Sequence, residues 1–160
     1  MDHDNYPDDL IRKILRATKT IAMVGSSAQW IRPSYFAMKY LQRKGYRIIP
    51  VNPKEAGNTI LGEAVYGRLA DLPEPVDMVD IFRNSEAAGG IADEAIDAGA
   101  KVVWMQLGVR NDAAAERAEA AGLTVIMNLC PKIEYGRLSG EIGWMGINTG
   151  IISSKRRSGI

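Results

Sequence analysis

Gly25-Ser26-Ser27, Arg32 and Asn52-Pro53-Lys54 are the residues of this chain best suited to holding a charged ligand. A glycine-containing turn between a strand and a helix presents backbone N–H groups that the helix leaves unpaired, and such groups attract phosphate. Arg32, just before the helix, adds a guanidinium able to grip a pyrophosphate in a bidentate way. The turn is not a full G-x-G-x-x-G, and a plain tight turn followed by a solvated arginine has the same sequence. The tip of the next strand separates the ligand classes. A strand–helix–strand unit that binds NAD carries Asp or Glu there, to hold the ribose 2′-hydroxyl. Here the tip reads Val51-Asn52-Pro53-Lys54, neutral and then basic. That order suits a nucleotide with an extra ribose phosphate, and coenzyme A and NADP are the candidates.

In an open α/β sheet the ligand lies beyond the C-terminal ends of the strands. Asn52 and Lys54, Phe82 and Arg83, Gln106, Leu107 and Gly108, and Asn128 to Pro131 are therefore candidate contacts. Within that set stand two cations and no carboxylate, a bias toward a polyanion with three phosphates. Catalytic groups are scarcer. His3 is the single histidine and is expected in a frayed N-terminus, so no Ser/His/Asp set and no histidine-rich metal site is expected. Asp77 and Asp80, three apart on a strand, point to opposite faces and make no general acid/base pair. Asp80 reads as a structural or ligand-facing carboxylate, while Glu134 and Glu141 have no assigned role. Cys130, the single cysteine, excludes an internal disulfide and reads as a small apolar filler or as a thiol near the end of the ligand.

Alternating apolar runs and amphipathic stretches must position these residues. The spacing of Leu10, Ile11, Ile14 and Leu15 predicts a helix from Pro7 to Thr18. Strands are expected at Thr20–Val24, Tyr46–Val51, Val76–Phe82, Lys101–Gln106 and Leu123–Met127, each too short and too apolar for a helix. Helices are expected at Ser34–Lys44, at Ser85–Ala98, and from an Asn111 cap to Gly122. Gly89 and Gly90 cost the second of these about 1 kcal/mol each relative to Ala, which points to close backbone approach. Thr59–Gly62 reads as a short extended piece and Arg68–Leu72 as one helical turn. From Gly136 onward no periodicity remains, and that stretch is expected to wrap the surface or meet another subunit. Strand–helix alternation of this kind predicts a Rossmann-like, doubly wound parallel sheet of five strands with helices on both faces.

Composition narrows the class further. A chain of 160 residues with 46% hydrophobic and 24% charged residues fits one soluble domain, with a core at about 8–138 and an extension at 139–160. The net charge of +1 gives no field for nucleic acid or membranes. No run approaches the ~20 apolar residues of a membrane span, and the acidic start (Asp2, Asp4, Asp8, Asp9) is unlike a signal peptide, so a cytoplasmic protein is expected. The Lys155-Arg156-Arg157 tail reads as a solvated terminus or a contact for an acidic partner.

Six blocks, in order, resemble the small stand-alone CoA-binding proteins, which are similar to the N-terminal CoA-binding domain of the succinyl-CoA synthetase alpha subunit. They are Gly25-Ser-Ser, Arg32-Pro-Ser-Tyr, Gly45-Tyr with Pro50-Val-Asn-Pro-Lys54, Val79-Asp-Ile-Phe-Arg83, Trp104-Met-Gln-Leu-Gly108 and Cys130-Pro-Lys-Ile-Glu134. The resemblance implies that the Gly25 turn and Arg32 meet the pyrophosphate and that Asn52, Pro53 and Lys54 meet the adenosine 3′-phosphate end. It likewise implies that Arg83 meets the nucleotide and Gln106, Leu107 and Gly108 the pantetheine arm. One departure is Leu129, where the family commonly has arginine, so this chain brings one cation fewer. The phosphohistidine route of the synthetases is closed without a central histidine. The expectation is a module that binds CoA or acyl-CoA without catalytic machinery of its own. An NADP-dependent oxidoreductase and a CoA-responsive regulatory subunit acting on a protein partner are the alternatives, and the partners expected besides CoA or acyl-CoA are a second copy of the chain or another protein.

Overall fold

The computed structural model describes residues 1–140; Glu141, most of the C-terminal extension and the Lys155-Arg156-Arg157 tail lie outside the described residues. Five parallel strands form the main sheet: β1 (Thr20–Val24), β2 (Arg47–Val51), β5 (Met78–Ile81), β6 (Val102–Met105) and β7 (Thr124–Ile126), in the order β2-β1-β5-β6-β7. The chain builds outward from β1 to β2 and then crosses back to β5. β1 and β5 therefore flank a switch point, where the connections leave the sheet in opposite directions and open a crevice. Registers run Val24 beside Val51 on one side and beside Ile81 on the other, with Ile81 next to Met105. Gly25, Asn52, Phe82 and Gln106, each the next residue of its strand, are brought to one edge.

Side-chain alternation gives each sheet face its own cover. Ala22, Val24, Val79, Ile81, Val103 and Met105 face helices α3 (Ser85–Asp97) and α4 (Asp112–Ala120). These helices meet the sheet through Ala88, Ala92, Ala95, Ala114, Ala115 and Ala118, all buried, and the small side chains allow close approach. Gly89 repeats the logic, because a Cβ there would stand 3.1 Å from Asn111 Nδ2, whereas nothing crowds Gly90. Close approach thus explains one of the two glycines. On the other face Ile21, Met23, Ile48, Met78 and Trp104 lie under α1 (Asp8–Ala17), α2 (Pro33–Arg43) and α5 (Pro131–Ser139). Asn111 caps α4 as its sequence implies, accepting from Ala114 N at 3.0 Å.

Three local expectations change. The aperiodic stretch expected from Gly136 is, as far as residue 139, the end of α5, which starts with Pro131 at its first position and buries Tyr135 and Leu138. Gly136 fits there by packing rather than by breaking the helix, since its Cβ would lie 3.3 Å from the Tyr40 hydroxyl. The extended piece near Thr59 is one arm of a hairpin, β3 (Thr59–Ile60) and β4 (Glu63–Ala64), turned by Leu61 and Gly62 at positive φ. The N-terminus is docked rather than frayed. His3 lies 2.8 Å from the Tyr6 hydroxyl and 3.3 Å from Glu119, Tyr6 accepts from Met127 N, and Asp4 pairs with Arg110 at 2.6 Å.

Candidate functional site

Gly25 follows β1 directly, with φ +92. A Cβ at this position would stand 2.5 Å from the Phe82 carbonyl oxygen, so only glycine lets the β1 and β5 ends close on each other. Its N–H continues the ladder to Val51 O at 2.9 Å and is not free for a phosphate. Ser26 also departs from its expected role: it is buried, and its hydroxyl donates to Met23 O at 2.6 Å. Ser27 N donates to Ser34 Oγ at 3.1 Å, and Ser27 Oγ accepts from Gln29 N. The turn is thus a rigid frame that carries the start of α2 toward the crevice. Arg32 is the N-cap residue of α2 and gives it no side-chain hydrogen bond, while Pro33 occupies the first position. The positive end of α2 therefore opens toward the same hollow as Arg32, whose Nε donates to Gln29 at 3.2 Å.

Asn52 ties the second strand to the turn. Its Nδ2 donates to Ser26 O at 2.7 Å, and its Oδ1 accepts from Lys54 N at 2.9 Å, capping the short 3-10 turn Pro53–Glu55. Asn52 is thus a positioning residue, and the exposed Lys54 is the group it presents. Gly25, Ser27, Arg32, Asn52, Lys54 and Phe82 line one hollow of about 450 Å³ together with Gln29, Pro33, Ser34 and Glu55. Glu55 corrects the expectation of a site without carboxylates. Being outside a regular strand, it gave no signal beyond following Lys54. Arg83 lies beside the turn, its Cδ 3.1 Å from where a Gly25 Cβ would be.

A second, apolar hollow of about 350 Å³ continues along the edge, lined by Ile31, Pro33, Phe36, Ala37, Gln106, Leu107, Cys130, Lys132 and Ile133. Pro33 borders both hollows. Gln106 is 8% exposed and its Oε1 has no hydrogen-bond partner among the described residues. Cys130, the N-cap residue of α5, is buried at the wall of this hollow. Asn128 and Gly108 leave the site proper: Gly108 N donates to Asn128 Oδ1 at 2.7 Å, a staple between two loops. Leu129 packs on the core, and its carbonyl accepts from Trp104 Nε1 at 2.9 Å. Asp80 is fully buried, and both oxygens lack a partner among the described residues. Burial pushes its pKa well above the ordinary carboxylate range. Asp77 precedes β5 at the other end of the strand and is structural, accepting from Lys19 N and Thr20 N.

A larger hollow, about 510 Å³, lies at the opposite end of the sheet between Leu69–Val76 and the end of α3. Glu74, Glu94 and Asp97 line it, which makes it a poor host for a polyanion. The edge at the switch point is the better site for phosphate, and the family comparison agrees with that chemistry. Residues 19–136 match the model of the CoA binding domain.

The chain belongs to the CoA-binding domain family. A relative, the uncharacterized protein YneT of Bacillus subtilis, is 39% identical over 125 residues, spanning 78% of this chain and 91% of YneT. A hypothetical protein from Pyrococcus horikoshii OT3 has a solved structure that is 39% identical, with a TM-score of 0.79 over 84% of this chain and 94% of its own. The dinucleotide-forming acetyl-coenzyme A synthetase 1 of Ca. Korarchaeum cryptofilum, 22% identical, shares the fold with a TM-score of 0.59 over 70% of this chain and 27% of its own. Of the two hollows that border Pro33, one is lined mainly by polar and charged residues and the other mainly by apolar ones. No helix among the described residues is long and apolar enough to cross a membrane.

Proposed function

We propose that this protein binds coenzyme A or an acyl-coenzyme A along the carboxyl edge of the sheet. The diphosphate lies over the Gly25 turn and the start of α2, near Arg32 and Arg83. The phosphorylated ribose points to Lys54, and the pantetheine arm runs past Gln106 and Leu107 toward Cys130. The placement of the two hollows on either side of Pro33 carries this reading, since a cationic hollow beside an apolar trough matches a molecule whose phosphates are at one end. We read the protein as a ligand-binding module rather than an enzyme, because the groups in reach of the trough are an amide, a buried thiol, the Lys132 ammonium over the Tyr40 ring, and hydrocarbon. Ser26 and Asn52 are already engaged in holding the frame.

One observation favours a second reading. Glu55 beside Lys54 is an acceptor that a free ribose hydroxyl would use, as in NAD-binding units. Calorimetric titration with CoA, NADP and NAD separates the two. CoA tightest supports the proposal, whereas NAD or NADP tightest transfers the site to a dinucleotide. A regulatory role would add a protein that the chain captures with CoA present and releases without it, or the reverse.

A further inference from the structure

Large apolar side chains ring the trough without being buried by the fold: Ile31 is 62% exposed, Phe36 48%, Leu107 52% and Ile133 49%. Exposed singly, such residues need no explanation, but gathered around one cavity they mark a binding surface. At its wall Gln106 is more than nine-tenths buried, with an acceptor oxygen lacking a partner among the described residues, and a group in that state costs free energy unless water or a ligand donor reaches it. The last amide N–H of coenzyme A stands two carbons from its sulfur. If that amide donates to Gln106 Oε1, the sulfur and whatever it carries lie among Ile31, Phe36, Leu107 and Ile133. Among the described residues no carboxylate lines this trough, and the one cation that does, Lys132, holds its ammonium 5.2 Å over the Tyr40 ring.

Resting on the coenzyme A reading, we propose that this trough is a subsite for a short uncharged acyl chain, so that saturated acyl thioesters are preferred over free coenzyme A and over dicarboxylic acyl thioesters. The chain removes Phe36 and Ile133 from water, and the thioester leaves no charge in an apolar place. A carboxylate at the chain end would meet hydrocarbon instead.

Titration calorimetry on the full chain with CoA, acetyl-CoA, butyryl-CoA, hexanoyl-CoA and succinyl-CoA tests the proposal. Affinity should rise roughly two- to fourfold per methylene until the chain outgrows the cavity, so butyryl-CoA should bind about tenfold tighter than acetyl-CoA. Succinyl-CoA should bind more weakly than butyryl-CoA. In Phe36→Ser and Ile133→Ser, both at half-exposed positions that spare the fold, the ratio of hexanoyl-CoA to CoA affinity should collapse toward one. A flat series with CoA still bound overturns the acyl subsite and leaves the coenzyme A reading standing, whereas failure of every ligand to bind removes that reading itself. Tightest binding of succinyl-CoA overturns the proposal by assigning Lys132 to a carboxylate. If the two substitutions change the sedimentation coefficient and not the ratio, the surface belongs to a second copy of the chain and the proposal falls.

Discussion

Gly25→Ala isolates the contact on which the site's frame depends. Two costs arise. The first is conformational: φ is +92, and an L side chain in left-handed space costs about 1–2 kcal/mol. The second is steric, because the new Cβ would stand 2.5 Å from the Phe82 carbonyl oxygen. That carbonyl cannot simply retreat, since Phe82 N is held by Val24 O at 2.8 Å in the β1–β5 ladder. A backbone shift of this kind adds ~1–3 kcal/mol, the range seen when a well-packed place is overfilled. Gly122 is the internal control. Its φ is +94 and nothing lies within 4 Å of its Cβ position, so Gly122→Ala pays the conformational cost alone. Urea unfolding followed by circular dichroism should place Gly25→Ala ~1–3 kcal/mol below Gly122→Ala in stability. CoA affinity, measured by calorimetry on protein still folded, should drop at least about tenfold for Gly25→Ala and stay unchanged for Gly122→Ala. Equal destabilisation of the two variants, with CoA affinity intact in both, would refute the argument that the Gly25–Phe82 approach shapes the site.

Other substitutions test individual groups. Lys54→Ala should weaken CoA by ~1–3 kcal/mol, toward the low end because Lys54 is exposed, and should erase the preference for CoA over dephospho-CoA; calorimetry with both ligands reads this. Arg32→Ala should weaken CoA and ADP by the same factor, because the lost contact belongs to the shared diphosphate; an unchanged affinity returns Arg32 to the solvent. Asp80→Asn should flatten the pH dependence of stability. Burial raises the folded-state pKa of Asp80, so between the ordinary unfolded value of 3.8 and that raised value the folded state holds a proton that the unfolded state has released. Stability is then full below the unfolded pKa and falls by up to about 1.4 kcal/mol per pH unit as pH rises through this window. Thermal unfolding at a series of pH values should show that decline in the wild type and its loss in Asp80→Asn, and parallel curves would contradict it.

The strands and the turn were legible because burial on both faces leaves short apolar runs, and because glycine at a strand end marks a conformation few residues adopt. The strand ends then located the edge without any knowledge of side-chain contacts. What the sequence hid lies in which partner each side chain takes, near or far along the chain. Ser26 looks like a phosphate ligand from its type and position, yet its hydroxyl finds Met23 O three residues back. Asn52 looks like a ligand contact and instead ties two loops together. His3 gained a place in the fold from Tyr6 and from Glu119, 116 residues away, which no local pattern foretells. Helix α5 was masked by Gly136 and Ser139, whose low helix propensity is overridden by packing on α2 and by the pairing of Arg137 with Glu134 and Asp8. The apolar ring of Ile31, Phe36, Leu107 and Ile133 comes from two loops and two helices and converges only in the fold.

The central claim, a coenzyme A site at the carboxyl edge of the sheet, is tested most directly by titrating isotope-labelled protein with CoA and following backbone amide shifts. The account predicts saturable shifts at Gly25, Ser27 and Ser34, at Lys54 and Glu55, and at Leu107, Lys132 and Ile133, with little change at Leu69, Val76 and Ala98 across the sheet. Shifts confined to that opposite hollow, or none at millimolar CoA, would contradict it.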